Sequence, residues 1–234
     1  MKDNNRVCFI IQARVNSTRL NKKMIRPFAD SSLIEKALEK VLQSDFPREN
    51  LFLSICDKEL IDIATKYKIN IYHRTPESVQ EGAGIKDIFG WYCDLDYDYY
   101  ILMSPCCPLL RVETINEFIS NFMSSESNGL FSVFEKKHFL YDTNHKMLNN
   151  YLGDKEKFLF DTKQLEPVYE AAAALYGGSM EDIERDVLYG TFQTKTDPEF
   201  FIMKEEECFD IDYLWQLEVA EIIYKRKFLE ENRK

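Results

Sequence analysis

Two groups of charged side chains, one near each end of the chain, have the types and spacing to do chemistry together. The first follows the apolar run Val7–Gln12, where Ala13-Arg14-Val15-Asn16-Ser17-Thr18-Arg19-Leu20-Asn21-Lys22-Lys23 concentrates Arg14, Arg19, Lys22 and Lys23. Arginine offers a planar fork of donors to phosphate oxygens, and lysine a mobile point charge. Each charge-assisted hydrogen bond contributes about 1.5–3 kcal/mol, so three or four could hold a triphosphate. The second group is Phe209-Asp210-Ile211-Asp212. In extended backbone, residues two apart project to one side, so both carboxylates can approach one ligand. Oxygen ligands of this kind suit Mg²⁺, which keeps part of its water and shares itself with substrate phosphate. Plainer readings stand beside both: a solvated basic loop, and an Asp212 that caps a helix starting at Tyr213 while Asp210 is a surface charge.

The rest of the composition narrows the partner. The chain of 234 residues, 45% hydrophobic and 14% aromatic, has the content of one globular unit with a small appendage. Lys and Arg number 30 against 40 Asp and Glu, a net charge of −10, which argues against coating nucleic acid. A local basic pocket can still hold a nucleotide against that global field. The run Val7–Ile11 is far short of the roughly 20 residues that span a bilayer and lacks the form of a signal peptide. The expectation is therefore a cytoplasmic protein without membrane contact. Six cysteines form no C-x-x-C pair and three histidines no cluster, so the sequence predicts no zinc site. Cys8 and Cys56, in apolar runs, read as reduced core residues.

The positioning elements alternate. Val7–Gln12 reads as a buried strand. Ser32-Leu33-Ile34-Glu35 has the form of a capping box, opening a helix whose core face is Leu33, Ile34, Ala37, Leu38, Val41 and Leu42. Leu51–Ile55 is the next strand, and Asp57 is placed to cap a helix with Leu60, Ile61, Ala64 and Tyr67 on one side. Ile69–Tyr72 is a strand, Ile85, Ile88, Phe89 and Tyr92 suggest a helix, Tyr99–Met103 is a strand, and Ile115, Phe118, Ile119 and Phe122 mark another helix. Strand Leu130–Phe134 precedes an aperiodic excursion from Glu135 to Leu165. Strand Ala171–Tyr176, a helix near Met180–Leu188, strand Phe200–Met203 and a helix from Tyr213 complete the chain. This order predicts a single α/β domain over 1–234, with a mainly parallel sheet wrapped by helices.

The segment Ile11-Gln12-Ala13-Arg14-Val15-Asn16-Ser17-Thr18-Arg19-Leu20, with Lys23 beyond, resembles the N-terminal motif I-x-A-R-x-x-S-x-R-[LI]-P-x-K of the cytidylyltransferases that activate sugar acids. These are the CMP-sialic acid (acylneuraminate) and CMP-Kdo synthetases. The resemblance implies that Arg14, Ser17, Arg19 and Lys23 bind CTP. Asn21 stands where proline is usual, Lys22 where glycine is usual, and Val15-Asn16 where sialic-acid members often carry Gly-Gly. Asparagine tolerates positive φ; valine and lysine take it less readily.

Further matches extend over nearly the whole chain. His73-Arg74-Thr75-Pro76 lies where the family places an arginine near the nucleotide base, which makes Arg74 a nucleotide-binding candidate; the plainer reading is an exposed loop arginine. Ser104-Pro105-Cys106-Cys107-Pro108-Leu109 resembles the Q-P-T-S-P-L segment beside the acceptor sugar, which makes Ser104 a substrate contact. Leu165-Glu166-Pro167-Val168-Tyr169-Glu170-Ala171-Ala172-Ala173-Ala174-Leu175-Tyr176 resembles L-P-x-x-Y-x-x-N-G-A-[IL]-Y, with Tyr176 the candidate acceptor contact. Ala172-Ala173 replaces Asn-Gly and Cys106-Cys107 replaces Thr-Ser, so the implied acceptor differs from ordinary sialic acid. Asp210 and Asp212 match the family's I-D-I-D motif and inherit its metal.

The resemblance implies the three-layer, Rossmann-like sheet of nucleotide-diphospho-sugar transferases, and a homodimer with 135–165 as the exchanged arm. It implies an enzyme joining CTP to a 3-deoxy-2-ulosonic acid, with Mg²⁺ as cofactor, for surface glycan biosynthesis. Arg14, Lys23, Asp210 and Asp212 would be its catalytic residues. A nucleotide-sugar glycosyltransferase and a non-catalytic sugar-nucleotide binding protein are the alternatives. A phosphatase of the Asp-x-Asp-x-Thr type is excluded, since Leu214 occupies the threonine position.

Overall fold

Strand β1 (Val7–Gln12) shows through its own alternation that both sides of the sheet are covered. Phe9 and Ile11 enter one core, while Cys8 and Ile10 enter another on the opposite face. The computed structural model describes residues 1–80, 82–150 and 161–230. After β1 come a small hairpin of β2 (Pro27–Phe28) and β3 (Ser31–Ser32), α1 (Leu33–Gln43), β4 (Leu51–Ile55), α2 (Lys58–Tyr67) and β5 (Asn70–His73). The chain continues through α3 (Ile85–Ile88), α4 (Trp91–Asp94), β6 (Tyr99–Met103), α5 (Val112–Ser124) and β7 (Leu130–Lys136). It ends with β8 (Val168–Ser179), α6 (Met180–Glu184), β9 (Glu199–Met203) and α7 (Leu214–Tyr224).

The main sheet has seven strands in the order β5-β4-β1-β6-β8-β7-β9, and β8 alone runs against the others. The expected α/β class with a mainly parallel sheet is what forms. On one face, Leu38 and Val41 of α1, Leu60 of α2, and Phe118 and Phe122 of α5 cover β1, β4 and β6. Each such side chain contributes about 1.5–3 kcal/mol by burial. On the other face, Phe89, Trp91, Met180 and Ile183 pack on Cys8, Ile10 and Tyr100.

Several expected local features differ. The single helix expected at Ile85–Tyr92 is two one-turn helices, α3 and α4, broken at Phe89-Gly90. Residues two apart point about 200° apart on one helix, so only a break lets Phe89 and Trp91 enter the same core. The capping box at Ser32 does not form. The Ser32 hydroxyl instead donates to Glu35 Oε2 (2.8 Å), and Lys66 of α2 holds the other carboxylate oxygen at 2.7 Å. Helix α6 stops at Glu184, and β7 and β8 run beyond their expected ends. Of the expected arm at 135–165, the first residues belong to β7, Tyr141 and Met147 form a β-bridge, and 151–160 lie outside the described residues.

Candidate active site

A cavity of about 600 Å³ opens at the carboxyl end of β1. The chain order reverses there, with β4 and β5 on one side of β1 and β6 on the other, the place where open α/β sheets bind ligands. Arg14, Ser17, Arg19, Lys23, Arg74, Ser104 and Tyr176 all line it. Two anchors shape the cationic loop that follows β1. Asp57, at the start of α2, does not cap that helix; its Oδ2 accepts the Val15 N–H at 2.9 Å. Lys22 sits at φ 57°, the left-handed conformation that glycine would adopt without penalty. The turn Lys23–Ile25 that starts there carries Lys23 inward, where it is only 7% exposed.

The distant aspartates arrive by packing. Ile211 is fully buried in a third apolar cluster with Leu20, Phe28, Leu33, Leu109 and Leu217. That cluster ties the first loop, the 104–109 segment and α7 together. With Ile211 pointing into it, Asp210 and Asp212 must project the other way, as the alternation of extended backbone requires. The Ile211 N–H donates to Cys106 O (3.0 Å), and Lys23 Nζ donates to Ile211 O. Lys23 Nζ also lies 3.3 Å from Asp212 Oδ1, and Arg19 Nη1 pairs with Asp212 Oδ2. Segments 188 residues apart, in the case of Lys23 and Ile211, are thus brought together: Arg19 and Lys23 line the cavity and pair with Asp212, while Asp210 and Asp212 themselves are not among its lining residues. Asp212 is not the cap of α7. Tyr213 holds that position, and Gln216 Oε1 accepts both the Asp212 and Tyr213 N–H groups at 2.7 and 2.8 Å.

The electrostatics of this corner are unequal. Burial and the neighbouring Asp212 push the Asp210 carboxyl above its ordinary range, with Lys23 and Arg19 pulling the other way. Burial disfavours the charge on Lys23, yet Cys106, Asp210 and Asp212 together hold its pKa above the usual value. Asp210 therefore has less cationic compensation than Asp212, and an added hard cation fits that deficit. Among the described residues no group of three or more His, Cys, Asp or Glu is arranged to hold a metal. An ion held here would rest on two carboxylates and complete its shell with water and substrate oxygens, the habit of Mg²⁺.

The remaining candidates divide. Arg14 Nη1 donates to Val79 O at 2.6 Å, so part of its fork holds the 77–80 turn. Arg74 spends Nε and Nη2 on Ser78 Oγ (3.1 Å) and Ser78 O (2.6 Å) and shapes the same turn rather than standing exposed. Tyr176 stacks on Tyr189, with centroids 4.4 Å apart and planes at 16°. Ser104 N–H donates to Ala174 O at 2.8 Å, fixing its segment to β8. Ala173 takes φ 51° at an irregularity in the β7–β8 pairing, where Ser132 Oγ accepts the Leu175 N–H (3.0 Å). Several contributors carry no clear sequence signal. Asp57 reads as a cap and Gln12 as the polar end of an apolar strand, and Trp91 is not on the helical face expected from Ile85, Ile88, Phe89 and Tyr92.

A sequence model of the cytidylyltransferase family matches residues 8–234. The chain is 26% identical over 230 residues to a pseudaminic acid cytidylyltransferase of Campylobacter jejuni, covering 92% of this chain and 95% of that one. It is also 44% identical over 62 residues to the spore coat polysaccharide biosynthesis protein SpsF of Bacillus subtilis, covering 25% and 26% of the two chains. Among solved structures, CMP-2-keto-3-deoxy-manno-octonic acid synthetase complexed with CTP superposes with a TM-score of 0.67 at 12% identity, covering 95% of this chain and 100% of that one. A 4-diphosphocytidyl-2C-methyl-D-erythritol synthase of Anaerococcus prevotii gives 0.64 at 14% identity, covering 96% and 100%. These two structures share the fold. Among the described residues no helix is long and apolar enough to cross a membrane. Because the family match runs through both the loop after β1 and the Asp210–Asp212 segment, the chain belongs to the cytidylyltransferase family and is a nucleotidyltransferase.

Proposed function

We propose that this enzyme transfers the cytidylyl group of CTP to the anomeric hydroxyl of a 3-deoxy-2-ulosonic acid, releasing pyrophosphate. The observation that carries the reading is the pairing of Arg19 and Lys23, which both line the cavity, with Asp212, two residues along the chain from Asp210. In the reaction the acceptor oxygen forms a bond to the α-phosphorus as the bond from that phosphorus to the bridging β-phosphate oxygen breaks in line, pyrophosphate leaves, and the hydroxyl proton passes to solvent. Positioning and charge neutralisation carry most of such chemistry. Arg19, Lys23 and Ser17 hold the leaving phosphates, Arg14 and Arg74 support the nucleoside side, and Ser104 and Tyr176 face the acceptor. Asp210 and Asp212 would hold Mg²⁺, which when bound neutralises phosphate charge and makes the acceptor hydroxyl more acidic.

The acceptor wall is less polar than the family motif implies, with Ala172-Ala173 and Cys106-Cys107 at its polar positions. This supports a sugar acid with fewer hydroxyl contacts than ordinary sialic acid. Relatives named for pseudaminic acid and Kdo supply the first acceptors to try. The product would be an activated sugar for surface glycan assembly. The excursion after β7, with Tyr141 and Leu148 exposed, is the segment we assign to pairing two copies in a homodimer. The test is pyrophosphate release from CTP, UTP, ATP and GTP against a panel of ulosonic acids with Mg²⁺. Release dependent on CTP and one acceptor is expected. CTP binding without release from any acceptor would make the chain a non-catalytic nucleotide-binding protein.

A further inference from the structure

Gln12 closes β1 at the cavity and lines it. Its Oε1 accepts from Trp91 Nε1 at 3.1 Å and from Ser54 Oγ at 3.4 Å. An indole N–H can only donate, so the amide must turn its oxygen, not its nitrogen, toward Trp91. Both anchors are rigid. Ser54 and Trp91 are completely buried, and the Trp91 ring packs edge-on to Phe89 and Tyr100 with centroids 5.6 and 4.9 Å away. The –NH₂ edge has no partner among the described residues. The cavity therefore receives two N–H donors in a fixed orientation and no acceptor from this side chain.

The position of this edge identifies what it meets. Arg19 and Lys23, with Asp212, mark the phosphate end of the cavity. On the other side stand the turn held by Arg14 and Arg74, and Gln12 directly precedes Ala13-Arg14. A nucleotide whose phosphates lie at the cationic end extends its base toward that second wall. We propose that Gln12 is a specificity-determining residue that reads the nucleotide base, donating an amide N–H to N3 of cytosine, with the adjacent O2 sharing it. Uracil carries N–H at position 3, which would set donor against donor. A fixed polar group rejects a mismatched partner because the mismatch leaves buried donors unpaired.

The inference rests on the CTP reading of the cavity, but its test does not need turnover. The measurement is equilibrium binding of CTP and of UTP, each with Mg²⁺, by titration calorimetry on the purified protein. Wild type is expected to bind CTP at least ~10-fold more tightly than UTP, the scale of one buried donor left unpaired. Gln12→Glu keeps an oxygen for Trp91 and Ser54 but presents an acceptor to the cavity, so the CTP:UTP affinity ratio should fall by ~10-fold or reverse. Trp91→Phe leaves Gln12 in place but frees its amide to rotate, and the ratio should fall there too. A purely structural role would weaken both nucleotides together and leave the ratio unmoved. If thermal melts show Gln12→Glu unfolded, Gln12→Leu and Trp91→Phe carry the comparison. Equal wild-type affinities, no nucleotide binding, or an unchanged ratio in the variants would overturn the assignment. A shifted ratio with no pyrophosphate release from any acceptor would keep it and reject the transferase reading instead.

Discussion

Lys40 provides a quantitative test of how the wall behind the acceptor segment is held. Its ammonium is buried on the inner face of α1, donates to Pro108 O, and faces the rings of Tyr224 and Phe228 at 5.6 and 5.5 Å. Burial outweighs the favourable fields of Cys107 and Glu207 and lowers its pKa from 10.5 to about 7. The unfolded chain keeps the proton up to about pH 10.5, whereas the folded protein releases it near pH 7. Between those values the unfolded state binds more protons, so stability rises with pH, by about 1.4 kcal/mol per unit and at most about 5 kcal/mol in all. Lys40→Met removes this dependence and leaves Pro108 O unpaired, a cost of about 1–3 kcal/mol at every pH. The variant should therefore be more stable than wild type by roughly 2–4 kcal/mol below pH 7, and that lead should shrink by about 3 kcal/mol near pH 9. Urea unfolding of both proteins at several values from about pH 6 to pH 9 measures the difference, in which other titrating groups largely cancel. Stability curves that run parallel, or a wild type that gains on acidification, would refute the reasoning.

Four further outcomes follow from the site. Asp57→Ala removes the acceptor of the Val15 N–H, so the CTP KM should rise about 10-fold and the unfolding free energy should fall by no more than about 1–3 kcal/mol; an unchanged KM would show that the loop holds its shape without it. Arg14→Ala releases the contact to Val79 O and a cation from the cavity, and the CTP saturation curve should move steeply to higher concentration; a coincident curve counts against the cradle. Asp210→Asn and Asp212→Asn should each abolish Mg²⁺-dependent pyrophosphate release while circular dichroism stays native, and undiminished release would remove the metal role. Lys22→Gly relieves a left-handed lysine worth about 1–2 kcal/mol, offset by the greater chain entropy of glycine. A rise in unfolding free energy of up to about 1 kcal/mol is expected, whereas a clear loss would mean that the lysine side chain itself stabilises the turn.

The sequence determined those features that depend on neighbours along the chain. The alternation of apolar runs and helical faces set the α/β class and most strand positions, because burial periodicity is a local property. The cationic run after β1 and the Asp-x-Asp spacing were legible for the same reason, whereas Ser104 and Tyr176 were singled out only by the resemblance to the family's motifs. Only the tertiary structure decided which partner each polar group takes. Asp57 and Ser32 have the right spacing to cap helices, but a backbone N–H of another segment claims the first and a carboxylate tied to Lys66 the second. Gln12 acquires a fixed orientation only when Trp91 folds over it, and Lys40 loses its usual basicity only when α7 and the 104–109 segment close around it. The meeting of Lys23 with Asp212 was likewise unreadable from spacing, since it depends on Ile211 burying itself among Leu20, Leu109 and Leu217. Contacts of this kind are selected by the packing of elements far apart in the chain, where no periodicity connects the residues that touch.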